Sequence, residues 1–138
     1  MQIHASCAAR NGYGVLLLGP SGAGKSDLLL RLLDHGFSLI ADDQVQIEDG
    51  VARAPAALAG LLEMRGFGIV RLPFVASARL ALVIQLAASA RLPEPAWHAR
   101  LALPLVAVDP AHCSAPARVA LALECALGNV RQVAGAFA

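Results

Sequence analysis

The run of residues 19–26, Gly-Pro-Ser-Gly-Ala-Gly-Lys-Ser, constrains this chain more than any other stretch. It fits the phosphate-loop pattern G-x-x-x-x-G-K-[ST] at every fixed position. The apolar run 15–18 before it suits a buried strand, and residues 27–35 after it have the pattern of a helix that ends at Gly36. The sequence therefore predicts a strand, a glycine-rich loop and a helix in succession, which is the arrangement that holds a polyphosphate.

The residue types in this loop indicate how it would hold phosphate. Glycines allow backbone N–H groups to turn onto phosphate oxygens, and the N-terminus of the following helix adds a favourable dipole. Lys25 can reach the β and γ phosphates, and Ser26 can hold Mg²⁺. We therefore expect a nucleotide-binding loop that consists of Gly19, Pro20, Ser21, Gly22, Ala23, Gly24, Lys25 and Ser26.

Length and charge limit the remaining possibilities. The chain of 138 residues is long enough for one domain, which we expect to span residues 1–138. Eleven basic and ten acidic residues leave a formal charge of +1, so nothing indicates a nucleic-acid surface or a basic membrane-binding surface. Because 57% of the residues are hydrophobic and only 15% are charged, the composition mildly favours a homo-oligomer.

Cysteine usage and the N-terminus indicate a cytoplasmic protein. Cys7, Cys113 and Cys125 form no C-x-x-C pair and leave one thiol over in any pairing, which is typical of free thiols in a reducing compartment. No apolar run approaches the roughly 20 residues of a membrane span, and the N-terminus lacks a signal-peptide pattern. The histidines are scattered along the chain, so no zinc site is predicted.

The remaining pattern predicts a mixed α/β fold. Residues 3–8 read as an edge strand, and Asn11-Gly12 and Asp49-Gly50 are signals of tight hairpin turns. The apolar periodicity predicts further strands at 37–41, 44–48, 51–53, 79–86 and 103–108, and an amphipathic helix from Pro116 to about Val133. Since only one strand-loop-helix unit is clear, we expect a mixed sheet around the phosphate loop rather than a doubly wound parallel sheet.

The acidic pair Asp42-Asp43 is the first candidate to work beside the loop. It follows an apolar strand, where nucleotide-binding folds place the acid that holds Mg²⁺. One carboxylate can serve the metal while its neighbour accepts a proton from an attacking hydroxyl; a solvated turn is the alternative. Because adjacent residues on a strand point to opposite faces, both carboxylates reach one site only if the strand ends there.

The second candidate is the segment 63–69, Glu-Met-Arg-Gly-Phe-Gly-Ile. Arg65 can hold a transferring phosphoryl group in bidentate fashion, and Glu63 can complete a magnesium shell. A surface salt bridge beside a glycine turn is the alternative. His4 is a third candidate by position alone, with a structural hydrogen-bonding role as its alternative.

In this order the segments resemble the bifunctional HPr kinase/phosphorylases, which phosphorylate a serine of the phosphocarrier protein HPr. The resemblance covers nearly the whole chain and rests on Ile-His-Ala at 3–5, the phosphate loop followed by Asp27, Leu-Ile-Ala-Asp-Asp at 39–43, residues 61–69, and Pro-Ala-Arg at 116–118. The E-x-R-G-x-G-I segment is the most specific of these. The resemblance implies the mixed sheet of the HPr kinase catalytic domain, similar to that of phosphoenolpyruvate carboxykinase, and a homohexamer. It also implies a short form with the C-terminal catalytic domain only.

The resemblance implies a role for each matched residue on the nucleotide side. The loop 19–26 would bind ATP, and its lysine would stabilise the transferred charge. Ser26 and Glu63 would hold Mg²⁺. Family members also have an arginine in the loop after the long central strand, a position that Arg100, or less favourably Arg91, would occupy here.

For the acceptor serine, the resemblance implies one acid that serves both the phosphorylation of HPr and the reverse reaction. Asp42 would accept the proton of the HPr serine, and it would return that proton when inorganic phosphate attacks phosphoserine-HPr to give pyrophosphate. His4 would lie close enough to influence it. Asp43 would then support the metal, and the reverse assignment of the two acids stays open.

The chain departs from the family at residues 116–121. The family's longer pattern, associated with the phosphorylase direction, has Gly-Arg after the valine. Arg118 stands where the family has a lysine, but the following arginine is absent, so the kinase direction is the better supported of the two.

Two other functions fit the phosphate loop. One is a kinase that acts on a small molecule, but no arginine-rich lid segment is present. The other is a module that senses ATP without turnover. The presence of Lys25, Ser26, Asp42 and Glu63 argues against it, because a sensor tolerates loss of the base.

Overall fold

A mixed sheet of nine strands forms the centre of the fold, and the computed structural model describes all 138 residues. In chain order the elements are β1 (Gln2–His4), β2 (Ser6–Arg10), β3 (Tyr13–Leu18), α1 (Lys25–Leu33), β4 (Ser38–Ala41), β5 (Gln44–Glu48), β6 (Val51–Arg53), β7 (Leu61–Met64), β8 (Gly68–Arg71), β9 (Ala78–Leu86), β10 (Trp97–His98), β11 (Leu103–Val108) and α2 (Ala115–Ala126), with a 3-10 turn at Ala56–Leu58. The strands β7 and β8 form a separate hairpin.

The longest strand, β9, organises the sheet. The strand order is β1-β5-β6-β9-β3-β2-β4, and β11 pairs with β9 and with β10. Parallel pairing joins β9 to β3 and to β11, and all the other pairs are antiparallel. The mixed α/β architecture expected from the sequence is therefore confirmed. Because β3 and β9 run in parallel, both end at the edge of the sheet where the phosphate loop begins.

Both helices pack on one face of the sheet. In α1, the buried positions Leu28, Leu29 and Leu32 repeat at helical spacing, so they form an apolar stripe. This stripe shares a core with Leu82 and Ile84 of β9 and with the buried residues of α2. Neither helix is long and apolar enough to cross a membrane.

A second core fills the opposite face of the sheet. It includes Cys7, Leu16, Ile40, Val45 and Val83, which come from five different strands. The strand β1 pairs with β5 at one end of the strand order, and Ala5 alone separates it from β2 near the other end. The sheet must therefore curl around this second core.

The predicted edge strand at 3–8 was wrong in one respect. Ala5 divides it, so that β1 lies at the edge, while β2 pairs with both β3 and β4 and is buried. The remaining strand predictions agree with the structure, and the backbone at Asn11-Gly12 and Asp49-Gly50 has the positive φ angles of the predicted turns. The sequence did not predict β10 or the pairing of β7 with β8.

The last helix is shorter than predicted. It ends at Ala126 rather than near Val133, because Gly128 adopts a left-handed φ of 79° and its N–H donates to the carbonyl of Cys125. Val130, which the helical periodicity placed on the same stripe as Val119 and Leu123, and Val133, the predicted end of the helix, are consequently exposed.

Two of the three free thiols, those of Cys7 and Cys113, should differ sharply in reactivity. Cys7 is fully buried, and burial raises the pKa of its thiol from 9.0 to about 12, whereas Cys113 is exposed. Because the thiolate is the reactive form, Ellman's reagent at mildly alkaline pH should modify Cys113 in the native protein and Cys7 only after denaturation. The variant Cys113→Ser should lose the rapid phase of the reaction with Ellman's reagent. Rapid modification of Cys7 in the native protein would contradict the buried position of β2.

Candidate functional site

A cleft of about 380 Å³ lies beside the phosphate loop. Loop residues Ser21, Gly22 and Gly24 form part of its wall. The cleft also brings together six side chains that the sequence singled out, namely His4, Lys25, Ser26, Asp43, Glu63 and Arg65. These six residues come from four separate parts of the chain, so the fold assembles the cleft from segments that are distant in sequence.

The phosphate loop connects β3 to the first turn of α1. Its turn is closed by the N–H of Ala23, which donates to the carbonyl of Pro20 at 3.0 Å. Gly24 precedes the helix with a φ of 103°, which residues with a side chain rarely adopt. The ammonium of Lys25 donates to the carbonyls of Gly19 and Pro20. The lysine is therefore held across the loop, where phosphate oxygens would compete with these carbonyls.

The segment that precedes α2 contacts α1, the helix that follows the phosphate loop, on its outer side. The guanidinium of Arg31 donates to the carbonyl of Pro110 at 2.7 Å and contacts the carboxylate of Asp27 at 3.1 Å. Pro110 also lies against Gly24, within van der Waals distance of where a β-carbon would be. These contacts hold the N-terminal turn of α1 in place beside the cleft.

Asp42 lies behind the cleft and joins three elements. Its side chain is buried, with 7% exposed, and its Oδ1 atom accepts hydrogen bonds from the hydroxyls of Ser6 and Ser26, each at 2.8 Å. Its Oδ2 atom accepts a longer bond, 3.4 Å, from the backbone N–H of Glu63. The carboxylate therefore connects β2, α1 and β7. Ser6 was not among the residues predicted for the site, and the only available signal in the sequence was a polar residue beside the apolar run 7–9.

Asp43 occupies a different environment from its neighbour. Strand β4 ends at Ala41, and Asp43 adopts a φ of 71°, which an aspartate tolerates better than most residues. Its side chain is 62% exposed and lines the cleft, with Oδ1 at 3.2 Å from Nδ1 of His4. The two acids thus meet at one site because the strand ends before them, but only Asp43 presents its carboxylate to the cleft.

The hairpin of β7 and β8 forms the opposite wall. Glu63 pairs with Ile69 across the hairpin, and Arg65 lies in its turn. The inner side of the hairpin is anchored by Leu62, which is fully buried, and by Val70, which packs against the first core. Glu63 and Arg65 are therefore exposed on a hairpin whose other side is packed against the core.

The arginine expected after the central strand does not line this cleft. Arg100 is exposed in the turn between β10 and β11. Arg91 lines a separate cavity of about 490 Å³ together with Arg118, on the side of α2. Within one chain, Arg65 is thus the only arginine at the cleft.

The donor set of the cleft fits Mg²⁺ that arrives with a nucleotide. The hydroxyl of Ser26 and the carboxylate of Glu63 both face the cleft, and oxygen ligands are what this ion prefers. No group of three or more histidine, cysteine, aspartate or glutamate side chains is placed to hold a metal. Magnesium is commonly held in this way, by one or two carboxylates together with substrate phosphates.

Sequence comparisons connect this chain to one family. The family model described as HPr Serine kinase C-terminal domain matches residues 1–91. The HPr kinase/phosphorylase of Lactobacillus delbrueckii subsp. bulgaricus is 45% identical over 73 residues, which are 49% of this chain and 23% of that protein. HPr kinase/phosphorylase 1 of Oceanobacillus iheyensis is 38% identical over 96 residues, 61% of this chain and 31% of that protein. The chain thus spans less than a third of the length of these relatives.

A structural comparison extends further along the chain. The structure of the Hpr(Ser) kinase/phosphatase from Coxiella burnetii matches with a TM-score of 0.70 at 23% sequence identity. The match covers 94% of this chain and 95% of that chain. The shared fold therefore continues beyond residue 91, where the match to the family model stops.

The different environments of the two acids predict different effects on stability. Asp42→Asn leaves one acceptor oxygen for three donors, so we expect it to lower the free energy of unfolding by about 1–3 kcal/mol. Asp43→Asn retains a residue that tolerates positive φ at an exposed position, and it should change stability by less than about 0.5 kcal/mol. Urea denaturation measures both. Equal losses in the two variants would contradict the division between a buried and a cleft-facing acid.

Proposed function

This chain belongs to the HPr serine kinase C-terminal domain family, and on that premise we propose that it transfers the γ-phosphoryl group of ATP to a serine of HPr. One observation carries the proposal: a single cleft brings the lysine of a phosphate loop together with a carboxylate suited to act on an acceptor hydroxyl. The three free cysteines support a cytoplasmic site for this reaction.

The nucleotide side of the cleft would act mainly by electrostatics. Backbone amides of the loop would bind the phosphates, and Lys25 would stabilise the negative charge on the transferred group. Ser26 and Glu63 would hold Mg²⁺, which when bound neutralises phosphate charge. Arg65 lines the same cleft and would hold the transferring phosphoryl group.

Asp43, rather than Asp42, is the better candidate for the general base. The oxygens of Asp42 accept three hydrogen bonds in a buried position, whereas the carboxylate of Asp43 faces the cleft beside His4. Asp43 would accept the proton of the serine hydroxyl as its oxygen attacks the γ-phosphorus, and ADP would leave. Asp42 would orient the hydroxyl of Ser26, a proposed ligand of Mg²⁺. This assignment reverses the one first expected from the resemblance.

The same groups account for a reverse reaction. When an oxygen of inorganic phosphate attacks the phosphorus of phosphoserine-HPr, the bond to the serine oxygen breaks and pyrophosphate forms. Protonated Asp43 would then return its proton to the serine oxygen. At residues 116–121 the chain lacks the arginine that follows the lysine in the family's phosphorylase pattern, so the kinase direction is the primary proposal.

The rim of the cleft supports a protein acceptor over a small molecule. Phe67 and Ile69 on the hairpin are 82% and 67% exposed, and Ile69 lies directly across from Glu63. The cleft itself has only one hydrophobic residue, Met64, in its wall. A large partner that covers the hairpin would bury these apolar side chains, and HPr is the partner that the family implies. A homohexamer is the assembly that the family implies.

Replacement of the proposed base tests the reaction directly. With labelled ATP, Mg²⁺ and purified HPr, Asp43→Asn should reduce the rate of HPr-serine labelling by at least about 100-fold and leave nucleotide binding largely intact. Asp49→Asn is a matched control, because Asp49 is also an exposed aspartate with positive φ. Unchanged labelling by Asp43→Asn would refute its role as the base.

The same assay separates the alternative functions. Label on a serine of HPr supports the proposal. Label on a metabolite in a cell extract, with none on HPr, would indicate a small-molecule kinase. Binding of ATP without any turnover would indicate a nucleotide sensor.

The hairpin surface gives an independent prediction about the acceptor. The double variant Phe67→Ser and Ile69→Ser should raise the KM for HPr by about tenfold while the affinity for ATP stays unchanged, because only the acceptor would contact these side chains. Val133→Ser is a suitable control, since Val133 is 93% exposed elsewhere on the chain. If the KM for HPr is unaffected, the acceptor does not bind the hairpin.

A further inference from the structure

We propose that Ser6 is a positioning residue for the nucleotide and metal site, and that it acts through Asp42 on the hydroxyl of Ser26. This inference rests on the proposed function, because it assumes that the cleft binds a nucleotide with Mg²⁺. Ser6 belongs to none of the motifs on which the family resemblance depends.

The position of Ser6 indicates a specific task. It is fully buried in β2, on a strand that otherwise contributes Cys7, Ala8 and Ala9 to the two cores. A buried hydroxyl must be hydrogen-bonded, and its partner here is Oδ1 of Asp42 at 2.8 Å. Ser6 also contributes to the wall of the cleft. The hydroxyl of Ser6 therefore uses its single proton in a hydrogen bond to the carboxylate of Asp42, behind the cleft.

The two serines share one carboxylate oxygen. Ser26 donates to the same Oδ1 atom, also at 2.8 Å. A hydroxyl has one proton and two lone pairs, so a Ser26 hydroxyl that donates to Asp42 has its lone pairs left to face the cleft. Those lone pairs are what a magnesium ion requires as ligands. The orientation of Ser26 thus depends on a carboxylate that stays fixed.

Ser6 supplies the constraint that fixes this carboxylate. Oδ2 of Asp42 has only the longer bond, 3.4 Å, from the N–H of Glu63. Without the Ser6 hydroxyl, only the bond from Ser26 and the longer bond from the Glu63 N–H would hold the carboxylate of Asp42, so the carboxylate would be less fixed as their partner. These are the two residues proposed to hold the metal, so removal of Ser6 should weaken metal binding more than nucleotide binding.

The test measures how nucleotide binding depends on magnesium. A fluorescent ATP analogue is titrated into the full chain at increasing Mg²⁺, and separately in EDTA. We expect Ser6→Ala to raise the Mg²⁺ concentration at half-maximal enhancement of binding by about tenfold, with binding in EDTA unchanged. Ser6→Thr, which retains the hydroxyl, should restore most of the magnesium response.

A matched control distinguishes positioning from structural support. Ser38→Ala removes a hydroxyl from an exposed position on the neighbouring strand β4 and should leave the magnesium response unchanged. A merely structural role for Ser6 would lower the thermal midpoint of the free protein without moving the magnesium midpoint. If Ser6→Ala is too unstable to purify, Ser6→Cys, with its weak donor, takes its place.

The outcomes separate this inference from the proposed function. If the unaltered chain binds no nucleotide with Mg²⁺, both fail. If the unaltered chain binds and Ser6→Ala has the same magnesium midpoint, the role of Ser6 is overturned and the proposed function stands.

Discussion

The carboxylate of Asp42 joins the parts of the chain from which the cleft is built. It accepts hydrogen bonds from β2, from the first turn of α1 and from β7. A buried carboxylate is costly unless such donors surround it, so the three segments and the acid stabilise one another. The phosphate loop, the hairpin that contains Glu63, and the strand behind them therefore take up defined positions around one cleft.

The adjacent acids Asp42 and Asp43 lie in different environments, on which their proposed roles depend. Asp42 faces inward and holds the serine at the start of α1, while Asp43 faces the cleft and lies beside His4. This division depends on the end of β4 at Ala41 and on the positive φ of Asp43. A regular strand through both residues would place them on opposite faces of the sheet. The break in the strand thus places neighbours in sequence in two different positions at one site, as the proposed separate roles toward nucleotide and acceptor require.

Local patterns predicted much of the fold, and contacts between distant segments account for the rest. The phosphate loop, the turns at Asn11-Gly12 and Asp49-Gly50, and most strands follow from short stretches of sequence. The bond between Ser6 and Asp42 joins residues 36 positions apart, and the one from Glu63 spans 21, so no periodicity shows them. For the same reason the sequence named Asp43 and Glu63 as separate candidates and His4 by position alone, and the family resemblance was needed to assign the three residues to one site. The last helix was extended too far because its apolar spacing continued past Gly128, where the backbone turns.

The central claim is that Asp42 organises the metal side and Asp43 serves the acceptor. A crystal structure with Mn²⁺ and a non-hydrolysable ATP analogue tests it most directly, because Mn²⁺ is located by its anomalous scattering. We expect the ion beside the hydroxyl of Ser26 and the carboxylate of Glu63, with Asp42 still hydrogen-bonded to Ser6 and Ser26. Asp43 should lie beside the terminal phosphate without binding the metal. An ion bound directly by Asp43, with Asp42 turned toward the terminal phosphate, would contradict it.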